Sequence, residues 1–491
     1  MIRTISLPLA ALLLAICAFG RDEYTRTFDK TVPWHSGERI YVEHRFGDVT
    51  IHTHTGSDVS IHAEIKVSAP DADQAKSFAE RVEIVIEPGT AELSIRTHYP
   101  SNQGNWMHNI SYAVRYDLAL PETAPLEVRN SFGAVSVTGL KASSDITSSH
   151  GAIEFRDGRG SQRLENSFAR VSVSNNNGDV GIETSNGPID ASDISGALTV
   201  RDRFASVTVS RVSKGVTVTN SNGSVQVTDS GGIGNVKNSF GGVIVRNWKG
   251  DMTVDTSNGK VEASNVEGIA QLSTTFGEVT FSNIARQLTI HASNSKISGQ
   301  HAGGPLSIVN SFGAVTVSDI QNAVSVRSGN GGVTLTNIRG AADVKTSFAM
   351  VQANNIAGTL QVENSNGGVQ ASNARGAEIT TSFAPVVLDG IAGPIHVVNQ
   401  NGAVDAASAG RGGCQPILIR TSFSTARVHL PPDASYRVTA RTSFGRIRTD
   451  FPLSMSGSIS GDNVTGTIGN GACEMTVTDQ NGSIEILKSG S

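Results

Sequence analysis

The chain has 491 residues, with charged side chains at 17%, aromatics at 5%, 52 glycines and a formal net charge of −5. Low charge without a basic excess excludes a nucleic-acid groove and a polybasic membrane-surface partner. The prevalence of Gly, Ser, Thr, Asn and Val is that of strands and turns, and the length suits either several ordinary domains or one long repeat array.

Residues 1–20 read as a secretory signal peptide. Met1-Ile2-Arg3 is a short basic start, residues 7–16 form an apolar run too short to span as a helix, and Ala18-Phe19-Gly20 supplies small residues for cleavage before Arg21. A lipoprotein reading would acylate Cys17, but the bulky Ile16 before it fits poorly. The expected location is therefore exported: periplasmic, or secreted and at the cell surface. After residue 20 there is no apolar run of about 20 residues, and the ending IEILKSGS lacks the terminal aromatic strand of an outer-membrane barrel.

Residues 21–125 read as an irregular β region that caps a regular array beyond it. Within this region, HRFGDVTIHTH (residues 44–54) forms a corner phrase around Phe46. Residues 69–82 predict a short helix, with Asp71 or Asp73 as cap and Ala75, Phe78, Ala79 and Val82 as its apolar face. Two alternating runs come next, VEIVIEPGTAELSIRTHY and ISYAVRYDLALP, before Pro121 and Pro125 punctuate the entry to the array. His52 and His54 share a strand face near His62. A transition metal would want such a group, but without nearby cysteines or clustered carboxylates they read as a solvated face, and no metal or cofactor is expected.

From residue 126 to 430 one phrase recurs. Phe132, Phe168, Phe204, Phe240, Phe276, Phe312 and Phe348 are each 36 residues apart, and Phe383 comes after a further 35. Midway lie His150, Asn186, Asn222, Asn258, Asn294, Asn330, Asn366 and Asn401. The period is thus 18, with Phe and Asn alternating at one position. Four residues before it stands an aliphatic side chain (Val128, Ile146, Leu164 and onward to Val397), and three residues after it another (Val135, Ile153, Val171 and onward to Val404). Ile194-Ser195-Gly196 and Val266-Glu267-Gly268 mark a second corner.

Short strands with one inward stripe per 18 residues predict an all-β solenoid, a β-helix of roughly 17 coils on the order of 80 Å long at the spacing between stacked strands. A β-propeller of 36-residue blades is the rival, but blade halves bury their strands differently, whereas these halves share the same aliphatic offsets. Parity with the preceding strand places the Phe/Asn position at an inward-facing corner. There Phe would fill the core and Asn would bond neighbouring corner backbone.

Phe423 continues the series with looser spacing; residues 431–491 then begin at Pro431-Pro432 and resume the phrase irregularly around Phe444 and Asn481, as a second cap. With residues 1–20 removed, Cys414 and Cys473 remain, an even number in an oxidising compartment. Similar offsets from their phrases make a disulfide possible. The coil of Phe444 lies between them in sequence, which would hold them about 9.6 Å apart unless residues 451–472 fold back; the other reading is two buried thiols.

The order HRFGDVTI, helix, YDLALPETAPLEVRNSFGAVSV, serial SNGxVxV phrases and closing NGSIEIL resembles the bacterial β-strand-repeat family of putative adhesins, a domain of unknown function. The likeness covers nearly all of residues 40–487. It implies an exported β-helix-like domain without cofactor or known catalytic residues. A non-catalytic, adhesin-like binding or scaffolding surface for a glycan or envelope component is the first functional expectation. An envelope-homeostasis protein that binds another protein is the second. A polysaccharide lyase or hydrolase is the third, for which Asp179, Asp190, Asp193, Asp202 and Arg203 are the nearest candidates, although they occupy different offsets and do not recur in register.

Overall fold

The computed structural model describes residues 21–100, 109–410, 414–455 and 462–489. The signal-peptide reading of residues 1–20 lies outside them. The chain forms two compact units, Met1–Arg159 and Gly160–Ser491.

In the first unit, β1 (Asp22–Pro33) pairs antiparallel with a later strand, Asp58–Ala69, across its full length. Between them in sequence come β2 (Arg39–Glu43) and β3 (Val49–His54), which flank the corner at Phe46; the strand Asp58–Ala69 is then β4. Its alternate residues Val59, Ile61, Ala63, Ile65, Val67 and Ala69 are all buried, as a half-covered strand requires. The helix α1 (Ala72–Glu80) packs on β1 and β4. Asp71 caps it, its side chain accepting the Gln74 N–H at 2.9 Å, and the predicted face of Ala75, Phe78, Ala79 and Val82 is buried.

The two alternating runs become an antiparallel hairpin of β5 (Glu83–Pro88) and β6 (Glu92–His98), then β7 (Ser111–Pro121). From here the pairing turns parallel. β2 lies between β6 and β8 (Leu126–Asn130), and β3 between β7 and β9 (Val135–Thr138). β8 and β9 then carry β10 (Ser144–Ser148) and β11 (Ile153–Arg159), with Val128 opposite Ile146 and Val135 opposite Ile153, 18 residues on.

The second unit repeats that step. Val236, Val254, Leu272, Ile290 and Ile308 face one another in parallel register before the first corner. Val225, Val243, Val261, Val279, Ile297 and Val315 do so after it. The aliphatic residues at both offsets are buried throughout the two units. The fold is a β-solenoid. Parallel pairing of residues 18 apart rules out propeller blades, and Asn222, Phe240 and Asn258 pair in line across the corner, so the Asn-Gly phrases are not hairpins. The one-residue deletion before Phe383 is absorbed at the second corner, where Ile356 faces Ala374 but Thr359 faces Gly376.

The inward placement of the phenylalanines is overturned. Phe132, Phe168, Phe204, Phe240, Phe276, Phe312, Phe348 and Phe383 are all exposed, Phe240 by 52%. Parity fails because the strand does not run straight through the corner. The last inward residue stands two positions earlier and, Ala292 apart, is polar: Asn130, Ser148, Asn166, Thr184, Asp202, Asn220 and Asn238 are among those buried there. Asn238 Nδ2 donates to the carbonyls of Gly241 (3.0 Å) and Gly223 (2.9 Å), and Asn310 Nδ2 to those of Gly313 (3.1 Å) and Ser295 (2.7 Å). A buried corner carbonyl needs a donor, and this side chain supplies it while the chain swings the next residue but one outward.

The second corner is equally regular. From Asp157 to Asn373, thirteen residues at steps of 18 have φ between 52° and 59°, the left-handed region that Asn and Asp tolerate best among residues with a Cβ. Their side chains form runs along the stack: Asn283 Nδ2 donates to Asn265 Oδ1, Asn265 to Asn247 and Asn247 to Asp229, at 2.7–2.9 Å.

At the far end of the second unit, spatial order departs from sequence order. Asn463–Ile468 folds back antiparallel on Tyr436–Thr442. Cys473–Asp479 and Ile484–Lys488 then enter between Ile417–Leu430 and Tyr436–Thr449, pairing parallel with both. The Phe444 coil is therefore not between the two cysteines. Cys414 and Cys473 are joined by a disulfide with their Cα atoms 5.7 Å apart.

Candidate binding surface

Because the buried polar residue turns the next-but-one side chain outward, the first corner of the second unit carries an exposed column. It runs Phe168, Asn186, Phe204, Asn222, Phe240 and onward, alternating ring and amide. Its end is informative. In sequence the last members are Asn401, Phe423, Phe444, Asn481, which breaks the alternation. Registers Val397 to Ile419, Ile419 to Val477 and Val477 to Ala440, each four residues before a column position, give the spatial order Asn401, Phe423, Asn481, Phe444. Insertion of the last coil thus restores strict alternation.

Beside the column, the preceding residue is Ser in most coils, as at Ser221, Ser239, Ser257, Ser293 and Ser311. Some of the amides are anchored: Asn186 Nδ2 donates to the Ser167 carbonyl (3.2 Å), Asn222 Nδ2 to that of Arg203 (3.4 Å) and Asn481 Nδ2 to that of Ser422 (3.1 Å). Bonding of neighbouring backbone by Asn at this position, expected of an inward corner, is made here on the outside. A groove of about 800 Å³ opens along the column between Phe312 and Ser382, lined by Ser311, Asn330, Ser347 and Ser365 and also by Arg327, Lys345 and Glu363. A second, of about 550 Å³, lies on the strands after the corner, lined by Ser264, Thr280, Ser282, Ser298, Gln300 and Thr316.

Charges on these faces are paired across coils. Lys345 meets Glu363 at 2.7 Å, Arg327 meets Asp343 at 2.9 Å, Lys296 meets Glu278 at 3.2 Å, and Arg246 bonds Glu262. The Arg246 hydrogen bond holds the Glu262 carboxyl below the usual range.

The carboxylates considered for polysaccharide chemistry are scattered by the fold. Asp179 accepts the Ala197 N–H at 2.8 Å, Asp190 pairs with Arg170, and Asp193 is held by Arg211 at 2.5 and 2.8 Å, which lowers its pKa. Asp202 is buried in the polar corner column and accepts from Thr184 Oγ1 and the Ala205 N–H, while its neighbour Arg203 is exposed. The histidines likewise have separate partners. His62 Nδ1 bonds Asp29 at 2.6 Å, which raises its pKa, His52 lies 4.0 Å from Asp117, and His54 Nδ1 accepts the Gly56 N–H. Among the described residues no three His, Cys, Asp or Glu are placed to share a metal ion. Among the same residues no helix is long and apolar enough to cross a membrane.

Two features escaped the sequence reading. The left-handed column had a signal, since Asn or Asp recurs seven residues after most of the Phe and Asn positions, with Arg211 and His301 among the exceptions, just before the Ile-x-Gly endings. Buried His44 had another, as it precedes Phe46 by two and so belongs to the polar corner column. It bonds Thr97 at 3.1 Å and lies edge-on to Tyr116, and burial pushes its imidazole down to about 4.

A putative cell adhesion protein from Clostridium sporogenes is 9% identical over 95% of this chain and 100% of its own, with a TM-score of 0.15. A putative adhesin from Bacteroides fragilis is 13% identical over 64% of this chain and 97% of its own, with a TM-score of 0.13. At these TM-scores the likeness carries no argument. No family model and no curated protein matches the chain.

Proposed function

We propose that the protein is an exported, non-catalytic binding or scaffolding surface of the adhesin type, with a glycan or cell-envelope component as ligand. The observation that carries this reading is the exposed Phe/Asn column flanked by serine hydroxyls. Large rings stand about half exposed at every second coil, at a position that Asn occupies in the alternate coils. Exposed large apolar groups repeated in one row, each rimmed by polar side chains, mark an interaction site. The cross-coil pairing of charge beside the column favours an uncharged partner. The Cys414–Cys473 disulfide fits an oxidising compartment outside the cytoplasm.

The test is a glycan array probed with the purified protein, run beside a pull-down from envelope fractions and a turnover assay on the glycans retained. Retention of glycans without product supports the reading. Capture of one envelope protein with no glycan retained would transfer the role to protein binding, and release of cleaved sugar would make the protein an enzyme.

A further inference from the structure

Resting on that reading, we infer that the column of the second unit is the binding site for an uncharged, extended β-1,4-linked polysaccharide, lying along the stack with every second sugar on a phenylalanine ring. Coils stacked in parallel register repeat at about 4.8 Å, so successive phenylalanines are about 9.6 Å apart. In an extended β-1,4-linked chain each pyranose is turned over relative to the last, so the same face returns only at every second sugar. That two-sugar repeat is only slightly longer than the ring spacing. Several successive rings can therefore meet equivalent faces of one chain before the two repeats drift out of step.

The chemistry of each position agrees. A β-linked pyranose presents axial C–H groups, which pack against the exposed aromatic carbons of each ring. The intervening sugar, in the opposite orientation, stands over Asn. At Asn186 and Asn222 the amide nitrogen is committed to a backbone carbonyl, so Oδ1 is the acceptor offered to a sugar hydroxyl, with the serine column beside it. The strongest observation is at Asn481. The last coil is threaded out of sequence order, and the result is ring, amide, ring from Phe423 to Phe444. Tandem duplication of a 36-residue unit explains alternation along the sequence but not alternation restored in space. A second copy of this chain, its rings inserted between these rings, is the competing occupant. It would cover the Asn amides with hydrocarbon and leave their oxygens without partners, which costs more than sugar hydroxyls that bond them.

The decisive variant replaces Phe204, Phe240, Phe276 and Phe312 together by Asn, written Phe204→Asn, Phe240→Asn, Phe276→Asn and Phe312→Asn. Asn already occupies this position in alternate coils, so the solenoid is retained, as unchanged thermal unfolding would verify. Calorimetry against β-1,4-linked glucose and N-acetylglucosamine oligomers of increasing length should show affinity rising roughly two- to tenfold for each added disaccharide, then levelling off. The variant should lose those increments, and α-1,4-linked glucose oligomers, which coil, should not bind. Glycan binding that is unchanged in the variant, or equal for α- and β-linked chains, overturns the assignment of the column and leaves the glycan reading standing. Failure to bind any glycan on the array overturns both. Concentration-dependent self-association in sedimentation, absent in the variant and unaccompanied by glycan binding, assigns the column to a second copy instead.

Discussion

Phe46 in the first unit and Phe240 in the second sit in the same phrase, RFGDVTI against SFGGVIV, and meet opposite fates. The Phe46 ring is stacked on Phe132 at 5.5 Å and meets Tyr99 and Tyr112 edge-on at 5.4 and 5.3 Å. The Phe240 ring is in solvent. The local phrase makes the corner in both, through a side chain buried two residues earlier, His44 in one and Asn238 in the other. What covers the corner is decided by strands from elsewhere. In the first unit β6 and β7 bring Tyr99, Tyr112 and Tyr116 to it, and burial raises the phenols of Tyr99 and Tyr116, the latter to about 12. In the second unit each corner meets only the next corner. An aromatic ring in a repeat is therefore covered or left exposed according to its long-range neighbours.

The sharpest way to break this contrast is to truncate rings of each kind. Phe78→Ala, on the buried face of α1 in the first unit, should cost about 3–5 kcal/mol, read as a lower denaturant midpoint for that unit. A loss below about 1 kcal/mol would contradict its buried place. At the end of the second unit, reduction of the Cys414–Cys473 bridge, 59 residues apart in sequence, should remove about 4 kcal/mol of restraint on the unfolded chain. Hydrogen exchange with and without reductant should quicken at residues 417–488 and not in mid-array; uniform protection would show that the insertion holds without the bridge.

Acid should separate the units next. The folded first unit holds His44 neutral down to about 4, against 6.5 for the free side chain, so between these values the unfolded chain binds the extra proton. That stability is intact above pH 6.5 and is lost progressively as pH falls toward 4, by about 3 kcal/mol. His44→Asn, which installs the residue found at Asn130, should flatten the first unit's stability profile over that range; an unaltered profile would remove His44 as the cause. The smallest effect is the most discriminating. Phe240→Ala should change stability by no more than about 0.5 kcal/mol, as exposed substitutions do, and a loss of several kcal/mol by chemical denaturation would return that ring to the core.

Much of the architecture was legible in the sequence because a solenoid writes its core at fixed intervals. The aliphatic offsets and α1 with its Asp71 cap derive from periods of 18, 3.6 and 2, and the corner at Phe46 from its phrase, whereas its pairing with Phe132, 86 residues on, follows no period. The ring column was found but placed on the wrong side. A period-two argument holds only while the strand stays straight, and Asn238 ends it by turning its amide onto the corner carbonyls. The place of Cys473 was not legible either, since pairing of Tyr436–Thr442 with both Asn463–Ile468 and Cys473–Asp479 is a choice among distant partners. Close packing also hid Trp248, fully buried against Gly234, where an added Cβ would lie 2.7 Å from the indole; neither residue belongs to the repeated phrase.

The threaded last coil gives this chain a clock. Coils in mid-array can stack in the order in which they emerge, each on the one before. Tyr436–Thr449 cannot, because its parallel partner, Cys473–Asp479 with Ile484–Lys488, is delivered later. Until those residues arrive, Ile417–Thr421 and Ala426–Leu430 remain an open parallel edge, the form of strand most apt to recruit another chain. Closure of this end therefore waits for residues 473–488, and a chain interrupted before residue 473 carries a sticky end that their insertion conceals.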